Sequence, residues 1–191
     1  MSAPVHRCWL AALLLALALA GCGKEPPPFR GTALPAVDWG RDFTLTSHTG
    51  ARLDTAVLHG RVQVLFFGFT HCPDICAPTL VKLAQAKSAL GADAGRVQVL
   101  FVTVDPDHDT PQQLAKFVPA FDSTFIGLTG SAGELVAVAR DHKVHAEAEG
   151  GAVAHTGSVL VKDSDGRLRL IINESASVED MTHDLRLLLD S

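Results

Sequence analysis

The chain has 191 residues and a formal net charge of −5. This length suits one domain with a sizeable hydrophobic core. Because phosphate binding requires clustered lysine and arginine, the mildly acidic balance without a basic cluster argues against DNA or RNA as a partner. The four cysteines are the most informative count, since cysteine can serve as a lipid attachment site, a disulfide, a redox couple or a metal ligand.

The first residues have the composition of an export signal. His6 and Arg7 precede the uncharged run WLAALLLALALAG, which is too short to span a bilayer comfortably. The run ends in LAGC, which resembles a bacterial lipobox, and this resemblance implies a lipoprotein signal peptide at 1–21 and lipid attachment at Cys22. We therefore expect a protein of the bacterial cell envelope, on the periplasmic side, tethered to a membrane by lipid.

A segment without apolar periodicity follows the signal. Residues 22–36 are rich in proline and glycine, which predicts a flexible tether that contributes nothing to the core. The folded domain is then expected at 37–191. We expect this domain to fold when residues 1–36 are removed.

The first half of this domain alternates strands with helices. DFTLTSHTGARLD predicts a hairpin that turns at His48–Gly50, and RVQVLFFGF predicts a buried central strand. A helix is expected from the turn containing Pro78 to Gly91. VQVLFVTV predicts a second buried strand, and the next helix starts at Pro111 with a capping-box pattern of Thr110 and Gln113.

The second half continues this order. FIGLTG is a weaker strand, and SAGELVAVARDH predicts a short helix capped by Ser131. TGSVLVKDSDGRLRLII predicts a hairpin at Asp165–Gly166, and a last amphipathic helix is expected at Val178–Leu189. The pattern predicts an α/β sandwich with a parallel core and an antiparallel hairpin edge.

Two cysteines remain for chemistry in the mature domain, because Cys8 leaves with the signal and Cys22 is consumed by lipid. Cys72 and Cys76 lie in FFGFTHCPDIC, between a central strand and its helix, where open α/β sheets place functional sites. A disulfide across so short a loop stabilises little, which favours chemistry over bracing. Because Cys76 lies near the positive end of the helix, we expect it to favour the thiolate. The pair is thus a redox couple, a metal clamp or a plain disulfide.

Thiolates select copper(I) or zinc, and imidazole also suits copper, so a third ligand is expected to be histidine. His48, His59 and His183 lie in turns or on a polar helix side, and His71 should point away from its neighbour Cys72. His142 and His145 fall at a helix end. His155 follows the flexible EGGAVA, where a loop could fold back over the cysteines. The full set of candidates is His48, His59, His71, His108, His142, His145, His155 and His183.

The segment DPDHDTP carries three alternating aspartates that imitate the start of an EF-hand calcium loop. Asp105, Asp107 and Asp109 occupy its first, third and fifth positions. The sixth position is Thr110 in place of glycine, and the twelfth is Lys116 in place of glutamate. We interpret the aspartates as turn and helix-start residues.

Three segments together resemble the Sco/SenC family of copper-delivery proteins: FFGFTHCPDIC, FVTVDPDHDTP and HTGSVLVKDSDGR. The resemblance implies a thioredoxin-like three-layer sandwich with a central mixed sheet and an N-terminal β-hairpin. It also implies membrane tethering and a copper ion bound by Cys72, Cys76 and His155. Family members usually carry an acidic residue before this histidine, where the present chain has Ala154, so copper affinity is expected to differ.

The resemblance leads to a functional expectation with two alternatives. We expect a copper chaperone that serves the dinuclear copper centre of cytochrome c oxidase, with the oxidase copper-site subunit or another copper chaperone as partner. The first alternative is a thiol:disulfide reductase that uses Cys72 and Cys76 as a redox-active pair and keeps the acceptor cysteines reduced. The second is an inert disulfide in an adhesion or scaffold domain. The histidine discriminates between the first two, because thiol exchange needs no imidazole ligand.

Overall fold

The computed structural model describes residues 28–144, 146–149, 152–155 and 157–190. Strands in these ranges are β1 (Thr32–Ala33), β2 (Thr44–Ser47), β3 (Arg52–Asp54), β4 (Val62–Gly68), β5 (Val97–Thr103), β6 (Ile126–Thr129), β7 (Ala146–Glu149), β8 (Ala152–His155), β9 (Val159–Lys162) and β10 (Leu168–Ile172). The α-helices are α1 (Cys76–Ala89), α2 (Pro111–Phe117), α3 (Ala132–Asp141) and α4 (Val178–Leu189). Within the described ranges, no helix is both long and apolar enough to cross a bilayer.

One mixed sheet organises the domain. Its strand order is β1-β10-β9-β4-β5-β6-β2-β3, and β7 and β8 form a separate antiparallel pair. The pairs β4·β5 and β5·β6 are parallel, whereas the strands added at either side are antiparallel. The predicted parallel core with antiparallel hairpin edges, including the hairpin at the N-terminal end of the domain, is therefore confirmed.

The two central strands are the longest apolar runs of the chain. β4 and β5 pair residue by residue from Val62 opposite Val97 to Gly68 opposite Thr103, and every residue in both is buried. Continuous apolar runs of this kind form strands that are covered on both faces. Because the strands are parallel, their carboxyl ends meet at one edge of the sheet, and the loops that follow them lie side by side.

Helices cover both faces of the sheet and make three layers. On one face, Phe66 and Phe101 of the central strands pack with the apolar sides of α1, α2 and α4. On the other face, Leu65 and Leu100 pack with α3 and with the chain that leads into β2. Alternate residues along a strand point to opposite faces, which explains this division.

Helix starts follow the predicted capping residues, with one difference. Thr110 accepts a hydrogen bond from the Gln113 backbone N–H at 3.2 Å, while its own N–H donates to the His108 carbonyl at 3.1 Å. The reciprocal capping box is instead formed at α3, where Ser131 and Glu134 satisfy each other's backbone donors. Each such cap supplies a partner for otherwise unsatisfied N–H groups at a helix start.

The N-terminal boundary differs from the predicted tether at 22–36. Phe29 packs against the core, and β1 pairs with β10. The N–H groups of Arg30 and Gly31 each donate to the buried Asp184 carboxylate of α4 at 2.8 Å. The prediction failed because this segment is held through its backbone and a distant carboxylate, which leaves no apolar periodicity in the sequence. The folded unit begins near residue 29, and residues 22–27 lie outside the described range.

A chain that starts at residue 37 should therefore be less stable than one that starts at residue 29. Removing residues 29–36 leaves the Asp184 carboxylate without two backbone donors, and an unsatisfied buried acceptor costs about 1–3 kcal/mol. Loss of the Phe29 contacts adds to this. We expect a decrease of about 3 kcal/mol in the free energy of unfolding, measured by urea denaturation of both chains.

A substitution at Asp184 tests whether its hydrogen bonds to the N-terminal segment account for this loss of stability. Asp184→Asn should cost less stability in the chain from residue 37 than in the chain from residue 29, because only the longer chain offers donors to the carboxylate. Equal unfolding free energies for the two chains would show that the predicted boundary at residue 37 was adequate.

Candidate metal centre

The two motif cysteines lie at the carboxyl edge of the central strands. Cys72 is in the loop after β4 and is partly exposed, whereas Cys76 is the first residue of α1 and is fully buried. Both are thiols, and both pack against the core formed with α1, α2 and α4. The pair thus lies at the boundary between solvent and core, with Cys72 nearer the solvent and Cys76 in the core.

The two thiols differ in acidity. Burial raises the pKa of Cys76 above its ordinary value, and the hydrogen bond with Cys72 raises it further. Burial also opposes ionisation of Cys72, but a hydrogen bond from the Cys76 thiol and backbone N–H groups of Asp74, Ile75 and Cys76 lower the Cys72 pKa overall. The prediction that Cys76 is the favoured thiolate was wrong, because desolvation outweighs its position at the helix start. Cys72 is the more acidic thiol.

A shared hydrogen bond places the two sulfur atoms close enough to serve one metal ion. Two thiolates on one three-coordinate metal stand roughly 4 Å apart. The donor set is soft and partly enclosed by apolar side chains, which suits copper(I). The cysteine pair therefore fits a metal, and it equally fits thiol exchange, because the proton on Cys76 stabilises a thiolate on Cys72.

Gly68, the last residue of β4, makes room for Cys76. A Cβ atom at this position would lie 2.7 Å from Cys76 Sγ and 3.0 Å from Phe101 Cε2. Real side chains do not approach so closely, so glycine is required if the buried sulfur is to keep its place. The close contact fixes Cys76 against the end of the central strands.

The strand that follows His155 enters the sheet beside the cysteine loop. β9 runs antiparallel to β4, with Val159 opposite Phe66, so the chain before Val159 lies at the carboxyl end of β4. Gly157 contacts this loop directly, because a Cβ there would lie 2.8 Å from Ile75 Cδ1. Two residues span at most about 7 Å, which keeps the His155 backbone near the cysteines. The His155 side chain lies outside the described residues, and its role as a ligand stays a prediction.

Other histidines have different roles. His142 is buried in the opposite core layer between Phe43 and Phe67, and its Nδ1 donates to the Val138 carbonyl at 2.9 Å. Burial lowers its pKa and keeps the ring neutral. Because the sheet separates it from the cysteines, His142 is excluded as their third ligand, whereas His145 lies outside the described residues. His48, His59 and His183 contact Gly127, Asp42 and Pro28 respectively.

Asp109 has a larger role than the sequence indicated. It is fully buried, and its carboxylate accepts hydrogen bonds from the Thr70 backbone N–H at 3.0 Å and from the hydroxyls of Thr70 and Thr103 at 2.6 Å each. These bonds attach the start of the cysteine loop to the end of β5. The sequence signal was present in the third aspartate of DPDHDTP, but its partner Thr70 lies 39 residues away along the chain.

Two histidines and an aspartate also meet at this edge. Side chains of His71, Asp105 and His108 each offer a metal-ligating atom, and these atoms all lie within 4.8 Å of one another. His71 Nε2 lies 3.2 Å from Asp105 Oδ2. His71 and His108 were not predicted to meet in one group, which we call the His–Asp–His cluster.

Comparison with known proteins identifies relatives along nearly the whole described domain. The profile of the SCO1/SenC family matches residues 32–190, a range that starts at β1. A mitochondrial SCO2 homolog of Bos taurus is 37% identical over 153 residues, which are 76% of this chain and 58% of that protein. The chain thus spans less than two-thirds of this relative's length.

Solved structures agree with the sequence match. Arabidopsis thaliana ScoI with copper bound is 33% identical, with a TM-score of 0.75 over 79% of this chain and 98% of that one. A SCO1/SenC family lipoprotein from Bacillus anthracis is 27% identical, with a TM-score of 0.73 over 85% of this chain and 99% of that one. Both share the predicted thioredoxin-like three-layer architecture. On the family match and these structural likenesses, the chain belongs to the SCO1/SenC family.

Proposed function

We propose that this protein is a membrane-tethered copper chaperone. Copper binds through Cys72, Cys76 and His155 and is delivered to the dinuclear copper site of cytochrome c oxidase. The observation that carries the proposal is the hydrogen-bonded thiol pair at the carboxyl edge of the sheet, beside the strand that follows His155. The copper held by the similar Arabidopsis protein supports the choice of metal.

The ligand chemistry favours copper(I) as cargo. Two thiolates and one imidazole form a soft three-coordinate set. Binding must remove the proton that Cys76 keeps in the apo protein, since metals bind thiolates, so copper uptake releases protons. The apolar surroundings of Cys76 exclude water from the buried side of the ion.

The exposure of the ligands suggests an order of transfer. Cys72 is partly exposed, whereas Cys76 lies beneath it against Gly68 and Phe101. An acceptor thiol can reach the copper from the Cys72 side and replace its outer ligands first. Cys76 then releases the ion last, so that copper never enters water during stepwise exchange.

The tether sets where this exchange takes place. With lipid on Cys22 and the fold starting near Phe29, about six residues separate the membrane anchor from the domain. Fully extended, they span about 20 Å. The domain therefore operates close to the membrane surface on the periplasmic side, where an oxidase subunit or a second chaperone presents its own cysteines. The similarity to a Bacillus anthracis lipoprotein supports this anchoring.

A thiol:disulfide reductase is the second candidate, and one observation favours it. The lowered pKa of Cys72 and the raised pKa of Cys76 give one attacking thiolate and one protonated resolving thiol. Attack by Cys72 on an acceptor disulfide forms a mixed disulfide, and attack by Cys76 then releases the acceptor dithiol and leaves Cys72 and Cys76 oxidised. This route needs no metal.

Copper stoichiometry separates the two functions. The reduced chain should bind one copper(I) ion, and X-ray absorption should report two sulfur ligands and one nitrogen ligand. Absence of tight copper binding, together with rapid reduction of a model disulfide, would replace the chaperone by the reductase.

A further inference from the structure

The His–Asp–His cluster is assembled by the two central strands. His71 lies three residues after the end of β4, and Asp105 lies two residues after the end of β5. Gly68 and Thr103, the last residues of these strands, are paired neighbours in the parallel ladder. His108 returns to Asp105 through the turn before α2. The cluster therefore lies at the same edge of the sheet as the cysteine pair, but the two groups share no residue.

Distances within the cluster match those between the ligands of one metal ion. His71 Nε2 lies 3.2 Å from Asp105 Oδ2, and His108 Nδ1 lies 2.9 Å from the same oxygen. Two ligand atoms at about 2.1 Å from a metal stand about 3.0 Å apart at a right angle and about 3.4 Å apart at a tetrahedral angle. An ion can thus replace the shared hydrogen bonds with little movement of the side chains.

The carboxylate at the centre is held in position by its own backbone. Asp105 N–H donates to Thr103 Oγ1 at 3.0 Å, and the Asp105 carbonyl accepts from the Asp109 N–H at 2.9 Å. The His71 ring also packs edge-on against Phe69, with ring centroids 4.7 Å apart. Two of the three ligands are therefore pre-positioned, which lowers the entropy that a bound ion would have to remove.

Access and charge also favour a cation. The side chains of His71 and His108 are 50% and 69% exposed, whereas that of Asp105 is 13% exposed. An ion can enter from solvent and keep water ligands on its open side. Asp107 and Asp109 add negative potential around His108, which attracts a divalent ion.

We propose that His71, Asp105 and His108 form a second metal site, for a divalent ion of the copper(II) or zinc(II) class, beside the cysteine pair. Imidazole and carboxylate are the ligands that these harder ions prefer, whereas the thiolates select copper(I). The proposal is independent of delivery to an oxidase and also holds if the cysteines form only a redox pair. One sheet edge then offers two sites that differ in ligand softness.

The site is tested in a full chain that lacks the proposed copper(I) ligands. The background is Cys72→Ser, Cys76→Ser and His155→Ala, which also removes the two thiols of the folded domain that would reduce the probe. Copper(II) is added to the detergent-solubilised chain and followed by electron paramagnetic resonance. We expect one bound ion with nitrogen hyperfine structure, and a loss of affinity of at least about tenfold on His71→Gln or His108→Gln.

His59→Gln is the matched control. His59 Nε2 lies 2.8 Å from Asp42 Oδ2 and its side chain is 42% exposed, so it forms a histidine–carboxylate pair without a place in the His–Asp–His cluster. This change should leave copper(II) affinity unaltered. Unchanged binding in His71→Gln and His108→Gln, or an equal loss in His59→Gln, would overturn the proposed site.

A second measurement avoids reliance on the triple variant. The otherwise native chain is first loaded anaerobically with one copper(I) ion, and zinc(II) is then added in a calorimetric titration. One further equivalent should bind, and His108→Gln should weaken it at least about tenfold. Zinc binding that is absent, or that is insensitive to His108→Gln, would also contradict the site.

Discussion

Cys72→Ser and Cys76→Ser should each abolish tight copper(I) binding. Either change leaves one thiolate and one imidazole, and a hydroxyl is a poor ligand for a soft ion. We expect affinity to fall by more than the ~10 to 100-fold that is typical when a residue that only orients a ligand is removed. Anaerobic competition with a copper(I) chelator of known affinity measures the change.

The comparison needs a control that introduces the same hydroxyl and keeps both thiols. Ala77→Ser adds it one residue beyond Cys76, on a partly exposed position of α1. This variant should bind copper like the wild type. Tight one-to-one binding in either cysteine variant would contradict the chaperone function.

Stability should respond differently from copper binding. A disulfide across so short a loop contributes little, and Cys72 is already partly exposed, so neither cysteine change should unfold the domain. Thermal unfolding with and without reductant measures this directly. Unfolding on reduction would favour the third possibility from the sequence, a structural disulfide.

Sequence reasoning predicted the elements whose signals are local. The apolar runs of β4 and β5 fixed the centre of the sheet, and the period of Val178, Met181, Leu185 and Leu188 marked α4 at its observed bounds. These features depend on neighbours a few residues away, where periodicity is informative. The position of the cysteine pair followed, because it comes directly after an unmistakable strand.

Features that depend on distant partners were missed. β1 is held by strand pairing and by Asp184, which lies more than 150 residues away, and neither leaves a pattern near residue 32. Asp184 itself stands among the apolar positions of α4 and is fully buried, which only its long-range donors explain. Local periodicity carries no information on such pairs.

The acidity of the cysteines could not be predicted for a related reason. The helix start at Cys76 was visible in the sequence, but the depth of its sulfur beneath Gly68 and Phe101 was not. Desolvation depends on that depth and here dominates the helix dipole. The His–Asp–His cluster, in contrast, could have been predicted from the sequence, because parallel strands bring the residues after Gly68 and Thr103 together.

His155→Ala should separate the two candidate functions. The change removes an imidazole and leaves both thiols, so copper(I) affinity should fall by at least the ~10 to 100-fold that follows loss of a residue that orients a ligand. Exchange with a model disulfide should stay near the wild-type rate, because attack by Cys72 uses only the two sulfurs. A reductase would tolerate the loss of His155.

Two further variants are compared with His155→Ala. His183→Ala removes a partly exposed imidazole from α4, where its Nε2 contacts the Pro28 carbonyl, and should leave copper affinity unchanged. Ala154→Asp restores the acid that family members usually carry before this histidine, and should raise affinity modestly or not at all. Both are read in the same chelator competition.

Gly157→Ala changes the segment between His155 and β9. A Cβ atom there would lie 2.8 Å from Ile75 Cδ1 and 2.9 Å from Glu174 Cδ, and both are ends of flexible side chains that can move aside. Copper affinity should therefore stay closer to that of the wild type than to that of His155→Ala, and thiol exchange should stay near the wild-type rate. If His155→Ala binds copper as tightly as the wild type with unchanged nitrogen ligation, His145 becomes the next candidate ligand, since His142 is buried on the far side of the sheet. If nitrogen ligation is absent in both proteins, Cys72 and Cys76 act as a redox pair.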